Sequence, residues 1–310
     1  MDEGLGCGSA RTKEAMSTPP SLTAAVVQLT STEDVAENLA AIGHWVGEAA
    51  RAGATFIALP ENACWLRVFP DAVCPKEVIP LGPDGSGGEG SGPILTALLA
   101  VAAEHRVWLL VGSFPELSPD PRRIYNTSVL IDGTSGGARG RVAATYRKLH
   151  LFDIDVKGSE SQRESDTILA GDRAVVAEVA GVPFGLSICY DLRFPELYRR
   201  LVDDGARVLT VPAAFTEFTG KDHWLVLLRA RAIETQTFVI APGQSGFHGG
   251  KRRTYGKSTI IDPWGIPLCM AGDGPGFAIA RLDFASQDRI RASLPCLQHR
   301  HPALNRGPTQ

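Results

Sequence analysis

Excess positive charge is missing from this chain of 310 residues: 31 Lys and Arg stand against 34 Asp and Glu, for a net charge of -3 and a pI of about 6.2. Without a basic face, neutralisation of a phosphate backbone has nothing to act through, and nucleic acid is excluded as an expected partner. No apolar run approaches the roughly 18–20 residues that a membrane span needs. Met1 to Pro20 is polar and rich in small residues, without the apolar centre of a signal peptide. The expectation is a cytoplasmic protein with no membrane association and a disordered N-terminal tail over 1–20. Cysteine is sparse and scattered, at positions 7, 64, 74, 189, 269 and 296, and no CxxC knuckle occurs. A chain this long needs no disulfides to stabilise a core, so reduced thiols are expected. Cys64 and Cys74 could meet across a loop and act as a redox pair. Cys296, His299 and His301 come nearest to a metal cluster, yet they do not make a closed set of ligands. Neither a metal nor another cofactor is expected.

What is present is a large apolar inventory, 44% of residues, with 21% charged, enough to bury one core, and a single domain over 21–305 is expected. A strand at Leu22–Leu29 leads through Ser31-Thr-Glu-Asp34, a helix-capping signal, into a helical pattern from Val35 to about Ala52 that ends at Gly53. A strand at Thr55–Leu59 then completes a βαβ unit with parallel pairing. The Gly-rich Leu81–Pro93 reads as a surface loop before a helix at Ile94–His105 and a strand at Val107–Gly112. Strands at Tyr125–Ile131 and Arg141–Arg147 read as a hairpin, and Leu151–Gly171 as a long ordered loop. The pattern then repeats: strands near Ala174–Glu178 and Val182–Ile188, a helix at Pro195–Asp203, a strand at Val208–Val211, a helix at Asp222–Thr235 and a strand at Phe238–Ala241. Strands at Ser258–Ile261, Leu268–Met270 and Phe277–Leu282 close the set. Two β-rich halves with helices outside predict an α/β fold of two mixed sheets packed face to face.

Three reactive side chains fall where such strands end. Cys189 closes the apolar run Val182-Pro-Phe-Gly-Leu-Ser-Ile-Cys189 and is followed by a helix start, which turns a side chain and the next backbone N–H groups into a cleft. Glu61 follows Thr55–Pro60, and Lys148 stands in Tyr146-Arg-Lys-Leu-His-Leu-Phe152. The sequence therefore offers an acid, a base and a thiol at corresponding places on a layered scaffold, an arrangement that suits a nucleophile. Ser187-Ile-Cys189 is not the G-x-S-x-G elbow of a serine hydrolase. His150 and His223 are available as papain-type partners for a cysteine. Arg229, Arg231 and Glu234 on one helix read as ion pairing or a subunit contact.

These stretches resemble the nitrilase superfamily of carbon-nitrogen hydrolases, in its Nit amidase branch. The likeness runs in order through Leu59-Pro-Glu61-Asn, Tyr146–Asp155, Ile188-Cys189-Tyr-Asp-Leu-Arg-Phe-Pro-Glu196, His223-Trp224, Leu228–Glu234, Tyr255-Gly-Lys-Ser258 and Asp262-Pro-Trp-Gly265. The resemblance implies a four-layer αββα sandwich, a homodimer and no cofactor. It implies a catalytic triad of Glu61, Lys148 and Cys189, with Glu164 as the branch's second glutamate. By the chemistry of a triad, the carboxylate takes the thiol proton while the lysine steadies the thiolate. Lys148 and the Tyr190 backbone N–H stabilise the oxyanion. Ammonia leaves with a proton from Glu61, and water activated by Glu61 cleaves the thioester.

Arg193, Phe215 and Thr219 match the positions that the Nit branch uses for substrate, and a guanidinium fork suits a carboxylate. The alternative for Arg193 is a salt bridge within the Asp191–Glu196 turn. The implied substrate is a small amide bearing a carboxylate, deaminated glutathione or a 2-oxo acid ω-amide, the former favoured by Ala230–Gln236 and Pro295–His301. Alternatives are an N-carbamoyl or aliphatic amide or nitrile hydrolase, and a non-enzymatic binding protein of the same fold. Cys189-Tyr-Asp, where true nitrilases have Cys-Trp-Glu, disfavours bare nitriles. Lys257 stands where the family often has His, and the loops at 82–92 and 247–253 are places where the pocket rim can differ.

Overall fold

The computed structural model describes residues 22–82, 87, 90–135, 137, 139–154, 162–301 and 303. The tail expected over 1–20, and much of the Gly-rich loop expected over 81–93, lie outside the described residues. Alternation of apolar residues along the first strand sets the layering. In β1 (Leu22–Gln28), Ala24 and Val26 belong to one apolar cluster and Ala25 and Val27 to another, because successive side chains of a strand point to opposite faces.

One sheet holds β1, β2 (Phe56–Ala58), β3 (Trp108–Leu117), β4 (Ile124–Asp132) and β5 (Arg141–Arg147) in spatial order. The segment that follows carries the two-residue strands β6 (Asp153–Ile154), β7 (Gln162–Arg163) and β8 (Ile168–Leu169), the last pairing with β4. The second sheet begins with β9 (Val175–Val179) and β10 (Val182–Leu186) and continues with β11 (Val208–Thr210) and β12 (Phe238–Ala241). A hairpin of β13 (Ser245–Gly249) and β14 (Arg252–Tyr255) follows, and β15 (Thr259–Ile261) and β16 (Pro267–Met270) complete that sheet. The chain then returns to the first sheet, where β17 (Gly276–Leu282) pairs antiparallel with β1. In both sheets three parallel strands lie at the centre, β1-β2-β3 and β10-β11-β12, flanked by antiparallel neighbours.

The helices α1 (Val35–Arg51) and α2 (Pro93–His105) cover the outer face of the first sheet, packing Ile42, Val46, Leu95 and Leu98 on Ala25, Ile57 and Leu109. Asp34 caps α1 by accepting from the Glu37 N–H at 3.0 Å, and the helix ends before Gly53 at φ +96°, where glycine carries no Cβ penalty. The helices α3 (Pro195–Asp203) and α4 (Glu217–Thr235) pack on the second sheet. The inner faces meet through contacts such as Phe56 with Phe184, ring centroids 4.8 Å apart. The four-layer αββα sandwich is the observed fold.

Three features depart from the sequence expectation. The helix α4 begins at Glu217, before the expected Asp222, which puts Thr219 in its first turn. The missing side chain of Gly220 is what lets Tyr255 pack there, since a Cβ would lie 2.4 Å from that of Tyr255. The hairpin β13–β14 and the helix α5 (Phe284–Ser293) carry too few apolar residues in period to be read from sequence. The described parts of Leu151–Gly171, expected as a loop, contain short strands and a 3-10 turn at Glu164–Asp166.

Candidate active site

The carboxyl ends of the parallel strands of both sheets open into one cleft, the place where open α/β sheets offer loops and free N–H groups to ligands. Glu61 stands three residues beyond β2, Lys148 directly after β5, and Cys189 three residues beyond β10. Cys189 begins a 3-10 turn and has φ +47°, a left-handed conformation that is costly for a residue with a side chain. Its N–H donates to the Pro212 carbonyl at 2.8 Å, tying the turn to the strand beyond. Gly112 lets the sheets close up here: a Cβ at this position would lie 2.2 Å from the Leu59 carbonyl oxygen and 2.5 Å from the Pro212 Cβ.

The three predicted groups come together with Glu164. Lys148 Nζ donates to Glu61 Oε1 at 2.9 Å, and to Glu164 Oε1 at 2.9 Å and Oε2 at 2.8 Å. Glu61 Oε2 accepts from the Ala214 N–H at 2.8 Å, and the Cys189 thiol lies close enough to the Glu61 carboxylate for each to shift the other's ionisation. Phe152 N–H holds Glu164 Oε2 at 2.7 Å. A residue that the sequence reading missed completes the cluster. Asn126, buried in β4, donates from Nδ2 to Glu61 Oε1 at 3.0 Å and to Glu164 Oε1 at 3.4 Å. No local pattern marks it, though an amide within an otherwise apolar and hydroxyl strand is a polar group that must find partners.

Burial opposes ionisation throughout this cluster, and charge pairing decides the outcome. Burial raises the Glu61 carboxyl, but the Lys148 ammonium, the thiol and the Ala214 N–H together hold it below its ordinary value. Burial would lower Lys148, but the carboxylates of Glu164 and Glu61 hold it well above. Burial first, then the Glu61 charge, keep the Cys189 thiol well above its ordinary value. One ammonium shared by two carboxylates therefore leaves the Cys189 side chain a thiol beside a carboxylate. Lysine does not by itself generate a standing thiolate.

The other candidates divide. Tyr190 is the second residue of the Cys189 turn, and first-turn N–H groups have no intrahelical acceptor. Arg193 makes no ion pair among the described residues, which removes the salt-bridge alternative. Its guanidinium lies over the rings of Phe215, 5.2 Å from the centroid, and Tyr190, 5.9 Å away, with His223 Nδ1 at 3.3 Å. Phe215 packs on Trp224 with centroids 5.2 Å apart, and Thr219 pairs its hydroxyl with Thr216 at 2.9 Å. His150 is not a partner of the thiol, for its Nδ1 lies 2.7 Å from Asp191 Oδ1 and its ring stacks on Phe194. Arg231 binds the Leu192 carbonyl and Glu234, and Arg229 the Gly265 carbonyl, so their role is structural.

Cys64 and Cys74 are free thiols that burial pushes up to about 12 and about 11. Neither is a reactive thiolate at neutral pH. Among the described residues no group of three or more His, Cys, Asp or Glu is arranged to hold a metal ion, and no helix is long and apolar enough to cross a membrane.

The cluster lies in a cavity of about 980 Å³ lined also by Arg193, Phe215 and Thr219. A cleft of that size holding a base, a cation and a thiol suits covalent hydrolysis of a polar small molecule.

Comparison with known proteins agrees with this reading. The carbon-nitrogen hydrolase family profile matches residues 23–292. A protein of Synechocystis sp. named deaminated glutathione amidase is 42% identical over 284 residues, 89% of this chain and 97% of that protein. The Homo sapiens protein of the same name is 41% identical over 285 residues, 90% of this chain and 82% of that one. Among solved structures, the C. elegans NitFhit protein superposes with a TM-score of 0.78 at 31% identity, over 93% of this chain and 67% of that one. Saccharomyces cerevisiae Nit3, of the nitrilase superfamily, does so with a TM-score of 0.76 at 26% identity, over 91% and 97%.

Proposed function

The chain belongs to the carbon-nitrogen hydrolase family, and from that premise we propose that it is an amidase in which Cys189 is the nucleophile, Glu61 the general base and acid, and Lys148 the oxyanion cation. The observation that carries the assignment is that one carboxylate, Glu61, is hydrogen-bonded to the Lys148 ammonium and lies beside the Cys189 thiol, close enough to shift its ionisation. As the sulfur attacks an amide carbon, its proton passes to Glu61 and negative charge develops on the carbonyl oxygen. The Lys148 ammonium and the Tyr190 N–H stabilise that charge, and the loss of one such donor costs about 3 kcal/mol. Glu61 then gives its proton to the departing nitrogen, leaving a thioester on Cys189. Water deprotonated by Glu61 attacks the thioester and releases the acid and the thiol. Glu164 holds Lys148 charged and in place throughout, which is a positioning role.

Arg193 accounts for the substrate class. A guanidinium without a carboxylate partner, held over two aromatic rings beside the nucleophile, supports a substrate with a carboxylate on its acyl side. Relatives 42% and 41% identical to this chain carry the name deaminated glutathione amidase, and we assign the same substrate here, with 2-oxo acid ω-amides as the shorter members of the class. The leaving group is then an amine, and ammonia only for the ω-amides. The active unit is a single domain over 21–305, working in the cytoplasm as a homodimer.

The test is release of 2-oxoglutarate from deaminated glutathione and from 2-oxoglutaramate, beside N-carbamoyl amino acids, aliphatic amides and nitriles, with Cys189→Ala as control. Turnover of the first two, lost in the variant, is the expected result. Folded wild-type protein that is silent on all of them would overturn the reading.

A further inference from the structure

A second pair of cations lines the same cavity, and the proposed chemistry leaves it unused. Arg67 lies six residues beyond Glu61, in the segment that borders the cleft on the side of that carboxylate, and Arg252 begins β14. The side chain of Arg252 reaches across to donate from Nη1 to the Arg67 carbonyl at 2.7 Å. Arg67 is itself held by the carbonyls of Pro70 and Ala72, both at 3.2 Å, and lies 5.2 Å from the Trp65 ring centroid. Neither guanidinium has a carboxylate within ion-pair distance among the described residues. Backbone carbonyls fix both of them and neutralise neither.

The hairpin turn is built to bring these two together. Gly249 and Gly250 have φ of +113° and +56° and pack against Val68, where a Cβ on Gly249 would come within 3.1 Å of the Val68 Cγ1. His248 anchors the hairpin from behind, with Nδ1 2.8 Å from the Ser31 carbonyl and Nε2 2.6 Å from the Thr254 hydroxyl. The Arg67 charge is near enough to oppose that of Arg252, and a bound anion relieves such repulsion. Burial lowers the Arg252 guanidinium, the group being close enough to Glu61 and Cys189 to feel their charges, and it remains a cation at neutral pH.

We propose that Arg252 and Arg67 form a second anion subsite that binds a carboxylate on the leaving-amine side of the scissile bond, opposite in role to Arg193 on the acyl side. The side follows from Glu61. The departing nitrogen must face this carboxylate to take its proton, and Arg67 lies on the segment that follows Glu61, with Glu61, Arg67 and Arg252 lining one cavity. Arg193, by contrast, follows Cys189 and faces Phe215 and Tyr190. The inference rests on the amidase reading and deepens it: the site selects acylated peptides that end in a carboxylate over short amides that release ammonia.

The test compares deaminated glutathione, its C-terminal carboxamide and 2-oxoglutaramate, followed by release of 2-oxoglutarate. In wild type, removing only the distal carboxylate is expected to lower kcat/KM by about 10- to 100-fold, the worth of one charged hydrogen-bonded pair. Arg252→Gln and Arg67→Gln are each expected to shrink that preference towards unity through KM, with Arg252→Lys restoring part of it. A folding defect would depress both substrates alike and leave their ratio in place, and the second position guards against failure of the first to fold. A preference that persists in all the variants, or an absent preference in wild type, overturns the subsite while leaving the amidase reading intact. Wild-type silence on all three substrates overturns that reading and this inference with it.

Discussion

Tyr146 donates its hydroxyl hydrogen bond to Asp191 Oδ2 at 2.7 Å, and this contact joins the lysine strand to the cysteine turn. Each residue lies two positions from a proposed catalytic group, Tyr146 before Lys148 and Asp191 after Cys189. Asp191, with no exposed surface, also accepts from the Ile188 N–H at 2.9 Å and the His150 N–H at 3.1 Å. One buried carboxylate therefore fixes the backbone on both sides of the lysine to the turn that presents the thiol. Burial and the neighbouring Asp191 charge keep the Tyr146 phenol protonated and donating.

Replacing Asp191 by Ala leaves those donors unpaired in the interior, and a loss of about 3–5 kcal/mol in unfolding free energy is expected. Tyr146→Phe removes one donor only and should cost about 1–2 kcal/mol. Urea unfolding measures both. In folded Tyr146→Phe protein, kcat should fall further than KM changes, since the offset moves Lys148 relative to the oxyanion. Unaltered kcat would show that other contacts suffice to align the two segments.

The pH profile follows from the direction of each shift. Glu61 is held below its ordinary 4.5 and Cys189 well above its ordinary 9.0, so kcat/KM should be flat through neutrality. The acid limb is expected below 4.5 and the basic limb above 9.0. For stability, the lowered Glu61 contributes above 4.5 and its contribution is lost as pH falls through the depressed value. The raised Lys148 contributes below 10.5 and loses its effect as pH rises through the elevated value. A limb centred near pH 7 in kcat/KM would contradict this arrangement.

Asn126→Asp places a third carboxylate against Glu61 and Glu164 around one ammonium. Like charges raise the carboxyl pKa, so the acid limb should move upward towards neutrality, with activity at pH 7 reduced about 10- to 100-fold. Asn126→Ala should lower activity without displacing the limb upward. Identical profiles for the two variants would mean that Asn126 only fills space.

Gly112→Ala tests the closeness of the two sheets at the site. With backbone and Pro212 already within 2.5 Å of the new atom, the strands must separate, and a loss of about 1–3 kcal/mol is expected from overpacking. The melting temperature should drop by several degrees in calorimetry. A wild-type melting temperature would show that the ends of β2 and β11 yield freely.

Much of this molecule is legible in its sequence because local signals reinforce one another. The Asp34 cap, the break at Gly53 and the alternation in β1 marked the first βαβ unit, and periodic apolar runs marked α3 and the central strands of both sheets. Glu61, Lys148 and Cys189 were marked by motif and by their places at strand ends, Glu164 by the family resemblance alone, and the four meet. The hairpin β13–β14 and the start of α4 were not legible. Their conformation depends on Gly249, Gly250 and Gly220 approaching Val68 and Tyr255, neighbours that are distant in the chain.

From the sequence by itself came the layer pattern and the chemical identity of the reactive groups, since periodicity and residue type are local properties of a chain. Tertiary structure alone decided the protonation of those groups and the company they keep. Asn126 reaches Glu61 across 65 positions of sequence, Lys148 is held charged by two carboxylates from different segments, and Arg252 comes to rest on Arg67, 185 positions away. Electrostatic energy depends on distance through space and on exclusion of water, and neither is set until the two sheets have packed.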